Sequence, residues 1–530
     1  MTLSLAKGDR LIIPYRLLVA AALVAAANTT VASAAALMRS AAPSVYSALS
    51  FLGYAHTPPR PPSPWYRVTA ADVMRARAGG WQQIRAASPF GANGAGTPLL
   101  MTDGTVMVQD NASKWFSLSP DKNGNYVRGT WTQKATLPAG YGPLYFASAV
   151  LADGKLIING GEYNFFHGAE TNLGAIYDPI ADTWTSVSPP SWLSEIGDAS
   201  SVVLANGTYM LSNCCLTSEA LLNEGSMTWT MTGAGKAGTN SEEGWTLLPN
   251  GKVLTADVSA APSSEHYNAG TGSWSSSGTV PVNLINRFEI GPQILRPDGT
   301  VFVAGASQHN AIYNTHTRRW IAAPDFPIVG GQQVDIADGP AALLTNGDVL
   351  MAASPGVYHP PATMLVFDGT QFTVVAAPPN APNDSSFNFR LLVLPTGQVL
   401  ETDGSDDVEI YTPRVAPDRS IAPAISTVPA TLTHGNTYPI TGIRFNGFSQ
   451  ANAYGDDAQS ATNYPLVRIR NLATGHVFYA RTHDHSFMGV ASQATVSTMF
   501  DVPASIELGA SELEVVANGI HSAPVGVTIN

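Results

Sequence analysis

Seven copies of one short pattern run through the middle of this chain: an apolar strand, a Gly turn, and a second apolar strand. They read LLMTDGTVMV, AVLADGKLII, VVLANGTYML, TLLPNGKVLT, QILRPDGTVFV, ALLTNGDVLM and LVLPTGQVLE. Their turn glycines are Gly104, Gly154, Gly207, Gly251, Gly299, Gly347 and Gly397, separated by 50, 53, 44, 48, 48 and 50 residues. A strand-rich period of that length predicts a β-propeller with one four-stranded blade per repeat, since a single blade cannot bury both its faces alone. The glycines also act as a ruler: residues at one distance before each turn occupy equivalent places in successive blades.

Each repeat continues to an aromatic outer strand, as in Tyr177 with Trp184, Tyr267 with Trp274 and Tyr313 with Trp320. The third repeat keeps only Trp229, and the sixth has Phe367 and Phe372 instead. The seventh stops at Tyr411, before an outer strand. Near the start, Trp81-Gln82-Gln83-Ile84 resembles the outer strand Trp131-Thr132-Gln133-Lys134. The N-terminal strand is therefore expected to complete the last blade, which removes an exposed sheet edge. The fold expected is all-β: a seven-bladed propeller over residues 81–416, then alternating strands over 417–530 that read as an immunoglobulin-like sandwich.

Upstream, Lys7, Arg10 and Arg16 precede the apolar run from Leu17 to Ala27, and Ala32-Ser33-Ala34 offers a cleavage site. Residues 1–34 thus read as a signal peptide, and 35–80, with HTPPRPPSPWY, as a Pro-rich linker. Export to a periplasm, a cell surface or the medium is expected, with no membrane span after cleavage. A net charge of −12 argues against a nucleic-acid partner, because no basic stripe exists to displace counterions. A monomer is expected. Cys214 and Cys215, the two cysteines, are adjacent; a vicinal disulfide and two reduced buried thiols are both open.

The hairpin with its Gly-Gly remnants, Tyr-Asp-Pro and the Trp strand make a kelch-type repeat. With the C-terminal sandwich, the chain resembles the galactose oxidase and glyoxal oxidase group of copper radical oxidases. That resemblance implies copper on the propeller axis, held by a Cys-linked tyrosine, a Tyr-His pair from the last blade and a His on a sandwich loop. Counted from the turn glycines, the radical tyrosine corresponds to Tyr145 and its stacking tryptophan to Tyr163. The Tyr-His pair corresponds to Phe387 and Asn388, and no Cys stands near Ala95. The sandwich histidine corresponds to His485 or His483. Copper in the family's full geometry is not expected from this donor set.

Nine or ten residues before the turns stand Ala95, Tyr145, Asp198, Glu242, Glu289, Asp338 and Asn388, with Glu243 replacing Glu242 if the register slips by one. Four carboxylates at equivalent positions read either as hard oxygen donors for a divalent cation or as caps on neighbouring strands. His483 and His485, two apart, could lie over that ring as a lid and metal ligands. Tyr454-Gly455-Asp456-Asp457 reads as a turn, as does Asp121-Lys122-Asn123-Gly124-Asn125. Beside a structural or adhesion role, two function classes stay open. One is a carbohydrate- or polar-ligand-binding propeller without radical oxidase activity. The other is a metal-dependent oxidoreductase acting on alcohols or aldehydes through Tyr145, His485 and the axial carboxylates.

Overall fold

The computed structural model describes residues 80–530, and the expected signal peptide and the linker as far as residue 79 lie outside them. Three short 3-10 turns are the only helical segments among the described residues; everything else regular is strand. No helix there is long and apolar enough to cross a membrane.

Successive repeats fold into antiparallel four-stranded sheets, each running from an inner strand to an outer one. The inner hairpins are buried on both faces, as in Val106–Gln109 and Leu156–Asn159. That is why they read as continuous apolar runs, without the alternation of a half-exposed strand. Outer strands such as Thr183–Ser186 are mostly exposed. All seven turn glycines have φ between 75° and 90°, the left-handed region that side chains disfavour.

The last repeat is completed from the other end of the chain. Gly80–Gln83 lies antiparallel on Glu409–Thr412, with Trp81 opposite Tyr411, so Gly80 belongs to the strand and not to the linker. Their rings are 5.1 Å apart, as are those of Tyr177 with Trp184 and Tyr313 with Trp320. Trp184 Nε1 donates to Ala135 O and Trp229 Nε1 to Ser188 O, each hooking its sheet onto the one before. Trp81 Nε1 does the same, donating to Ala376 O at 2.6 Å just past the sixth sheet's outer strand. Trp81→Ala should therefore cost about 2–3 kcal/mol, the loss of a half-buried indole and its hydrogen bond. The check is the urea midpoint, with Trp81→Phe retaining most of the stability; an unchanged midpoint would contradict this closure.

In the C-terminal region the sequence suggested two stacked layers, but the ladder is continuous. Val477–His483 pairs through residues 477–480 with Leu466–Asn471 and through 481–483 with Val496–Asp501. One strand thus bends from layer to layer, and the sheet curls around Leu432, Ile440, Val467, Phe500, Leu513 and Val515. This region docks on the hairpin turns: Arg481 Nη2 donates to Asp153 O and His485 N to Ala152 O. At Gly104 a side chain would meet the Tyr479 ring at 2.5 Å, so the docking itself requires glycine there.

From this docked region, residues 446–464 enter the propeller's centre. Asn452–Ala453 adds a fifth strand to the sixth sheet, pairing with Ala341 and Ala342. Leu247 N donates to Gln450 Oε1 at 2.7 Å, Val393 N to Asn452 Oδ1 at 2.9 Å, and Ser460 Oγ to Pro98 O at 2.8 Å. A buried loop must satisfy its backbone and its hosts' backbone, which explains its unusual share of buried Asn, Gln and Ser.

Candidate functional site

The axial site lies at the ends of the inner strands away from the turns. Three of its positions, each nine residues before a turn glycine, share one backbone conformation: Tyr145 has φ 52°, Glu242 57° and Asp338 46°. Non-glycine residues seldom occupy this region, and such strain clusters at functional sites.

The carboxylates singled out by the ruler do come together. One ligand oxygen from each of Glu242, Glu289 and Asp338 lies within 4.8 Å of the others. A second trio, Asp198, Glu242 and Asp456, meets the same limit and shares Glu242. Asp456 and Asp457 come from the inserted C-terminal segment, held there by Ser200 Oγ donating to Asp456 O at 2.8 Å. Asp338 lies over Gly455, where a Cβ would be 2.2 Å from its Oδ1, and Tyr358 OH donates to its Oδ2 at 3.5 Å.

Burial dominates the electrostatics. It pushes Asp457 up to about 7 and Asp338 up to about 6, with the Arg390 guanidinium pulling both down. Asp198, Glu242, Glu289 and Asp456 are also raised, first by burial and then by neighbouring carboxylates. Both oxygens of Asp457, Oδ2 of Asp456 and Oε2 of Glu289 are buried without a hydrogen-bond partner. Those four oxygens therefore do not cap neighbouring strands.

Beside the carboxylates, Arg390 stacks 4.0 Å from the Tyr454 ring and 5.2 Å from the Tyr145 ring. Its Nη1 donates to Phe387 O and Phe389 O. Tyr163 sits edge-on to Tyr145 at 6.2 Å, and Phe387 edge-on to Tyr358 at 4.9 Å. Burial raises the Tyr145 phenol far above its ordinary value, against the pull of Arg390.

Several expectations are corrected. Asn388 does not present its side chain as an axial ligand: its Oδ1 accepts from Ser385 N and Oγ, capping a 3-10 turn. His485 and His483 are not a lid. Neither belongs to a cluster of metal-binding type among the described residues. The chain reverses at Asp484, φ 51°, and His485 packs against the Ala152 turn, stacked on Tyr464 with Nδ1 on Thr498 Oγ1 at 2.8 Å. Burial pushes it down to about 3, so it is neutral. His483 pairs with Asp484 and Asp501. Asp456-Asp457, read as a turn, belongs to the site.

Glu243, ahead of the strand and next to the left-handed Glu242, joins neither trio. It pairs with the buried Lys236 at 2.8 Å, and Asp257 and Glu265 share that lysine. Cys214 and Cys215 form a disulfide, next to Gly197, where a Cβ would meet Cys214 Sγ at 2.9 Å and Glu170 Oε2 at 2.2 Å. Phe165 and Phe166 are exposed on the loop after Tyr163.

No protein-family model matches the chain. A kelch-like protein, terF, of Aspergillus terreus is 30% identical over 128 residues. That stretch is 24% of this chain and spans about a quarter, 26%, of the relative's length. A fungal alcohol oxidase of the AA5 family, solved in complex with copper, superposes with TM-score 0.50 at 15% identity, over 86% of this chain and all of that one. The selenomethionine-substituted virginiamycin B lyase of Staphylococcus aureus gives TM-score 0.47 at 9% identity, over 63% of this chain and 99% of its own. The chain has a kelch-type, galactose oxidase-like propeller fold.

Proposed function

We propose that this protein is an exported seven-bladed kelch propeller with a C-terminal immunoglobulin-like module, and that it binds a divalent cation of calcium type at its axis. Through that ion it holds a carbohydrate or other small polar ligand. The observation that carries the reading is the trio Glu242, Glu289 and Asp338, whose oxygens lie within 4.8 Å of one another from three different sheets. Two oxygens across an ion bound at about 2.4 Å are separated by about that distance, and an all-carboxylate set suits a hard cation. Glu242 and Asp338 are only partly buried, which leaves a side open to ligand. Exposed Phe165 and Phe166 offer faces on which a sugar ring can stack.

Copper-radical oxidation is not part of this proposal. The residues do not fit that cofactor: Phe387 and Asn388 offer no phenolate and imidazole, and Ala95 marks a place without thiol. Both cysteine sulfurs of the chain are joined to each other, and a guanidinium stacks on Tyr145. An oxidoreductase that uses Tyr145 together with His485 draws no support from His485, which is bound at the turn side.

Calcium titration of EDTA-treated protein by calorimetry tests the reading. Saturable heat is expected for the native chain, weakened at least tenfold in Asp338→Asn. No heat, or one tightly held copper with a radical absorption band, would overturn it.

A further inference from the structure

The axial carboxylates form two overlapping trios, and we infer that they hold a pair of divalent cations bridged by Glu242. This rests on the proposed cation-binding function and extends it. The first ion lies among Glu242, Glu289 and Asp338, the second among Asp198, Glu242 and Asp456. Glu242 is common to both trios, and a carboxylate has two oxygens, one for each ion.

Charge balance favours two ions over one. Asp198, Glu242, Glu289, Asp338, Asp456 and Asp457, with the buried Glu162 and Glu170 close enough to raise them, face one guanidinium, Arg390. Fully ionised, the eight carboxylates and one guanidinium leave seven negative charges; one divalent ion leaves five, and a second leaves three. Buried like charges that close cannot persist uncompensated, so they take up either protons or cations.

The second trio also has buried oxygen capacity unspent. Asp456 is 3% exposed, and its Oδ2 has no hydrogen-bond partner, while Oδ1 accepts from Asp457 N at 2.9 Å. On the first trio's side, Glu289 is 1% exposed with Oε2 unpartnered. Each trio therefore contains a desolvated carboxylate oxygen that the protein leaves unmatched, at a cost that a bound cation offsets when the group is ionised.

The arrangement gives the inserted segment 446–464 a chemical role. The first trio is made wholly by propeller sheets, whereas the second needs Asp456 from the C-terminal region. The second ion would thus form only once that segment has threaded the axis, tying the two regions together through metal.

The test is ion stoichiometry on the full mature chain, dialysed against calcium and then metal-free buffer, by elemental analysis and calorimetry. Two calcium ions per chain are expected for the native protein, one for Asp456→Asn and one for Glu289→Gln. Glu242→Gln should weaken both. One ion in the native chain, unchanged by Asp456→Asn, overturns the pair and leaves the single-ion reading standing; no ion at all overturns both. Should Asp456→Asn not fold, a terbium-soaked crystal of the native protein decides: two anomalous peaks flanking Glu242 support the pair, and a single peak refutes it.

Discussion

Chelation with EDTA is expected to lower the Tm of this protein by about 4 °C at pH 8 and by little at pH 5. A ligand present at a hundred times its Kd stabilises the folded state by about 2.7 kcal/mol, which for a chain this large is a shift of a few degrees. The pH dependence follows from the direction of the carboxylate shifts. Asp338 and Asp457 are raised to about 6 and about 7, chiefly by burial. Unfolded, they release their protons near pH 4. Folded and metal-free, they hold them until pH 6 to 7. Folding therefore takes up protons in that interval, so metal-free stability is fullest below pH 4 and declines as pH rises through 7. Calcium replaces those protons and removes the decline. Scanning calorimetry at pH 5 and pH 8, with and without EDTA, measures the difference. A chelator effect as large at pH 5 as at pH 8 would contradict this electrostatic account.

Arg390→Met is expected to be the most damaging single change at the axis, costing about 3–5 kcal/mol. Removing a buried cation leaves the carboxylates whose charge it offsets desolvated and less compensated. The Arg390 guanidinium is the cation that pulls Asp338, Asp457, Tyr145 and Tyr454 downward against burial. It also donates to Phe387 O at 2.7 Å and Phe389 O at 2.9 Å, bonds a thioether cannot replace. Much of the loss is electrostatic, so the double variant Arg390→Met with Asp457→Asn should recover about 1–2 kcal/mol relative to the single one. Urea unfolding of the four proteins in this cycle measures it. Strict additivity, with no recovery, would mean that Arg390 acts through packing on its two tyrosines alone.

The propeller was legible because its signal is repeated. A Gly turn between apolar strands recurs at a nearly constant interval, and Trp81 could be matched to the outer strand the last repeat lacks. The same ruler found Asp198, Glu242, Glu289 and Asp338, since backbone position in a repeat is a local property. It could not distinguish side chains that turn away. Asn388 stands in register but caps Ser385, while Arg390, two residues on, is the side chain that reaches the site.

What crosses between regions left no periodic trace. Asp456 and Asp457 sit in a stretch with the composition of an exposed turn, and only threading through the axis buries them. The signal in the sequence is the density of Asn, Gln, Ser and Asp across residues 446–464 with no Lys, Arg or Glu. His483-Asp484-His485 misled for the opposite reason. Its ligand-like spacing is real, but the strand that carries it pairs into the curled sheet and delivers His485 to the turn face.

The most direct test is the identity of the metal at the axis, read by element-specific anomalous diffraction from crystals grown after equilibration with equimolar calcium and copper. The account predicts calcium density against Glu242, with Glu289 and Asp338 as ligands and no copper at Tyr145. Copper bound to the Tyr145 oxygen, with no calcium among the carboxylates, would contradict it.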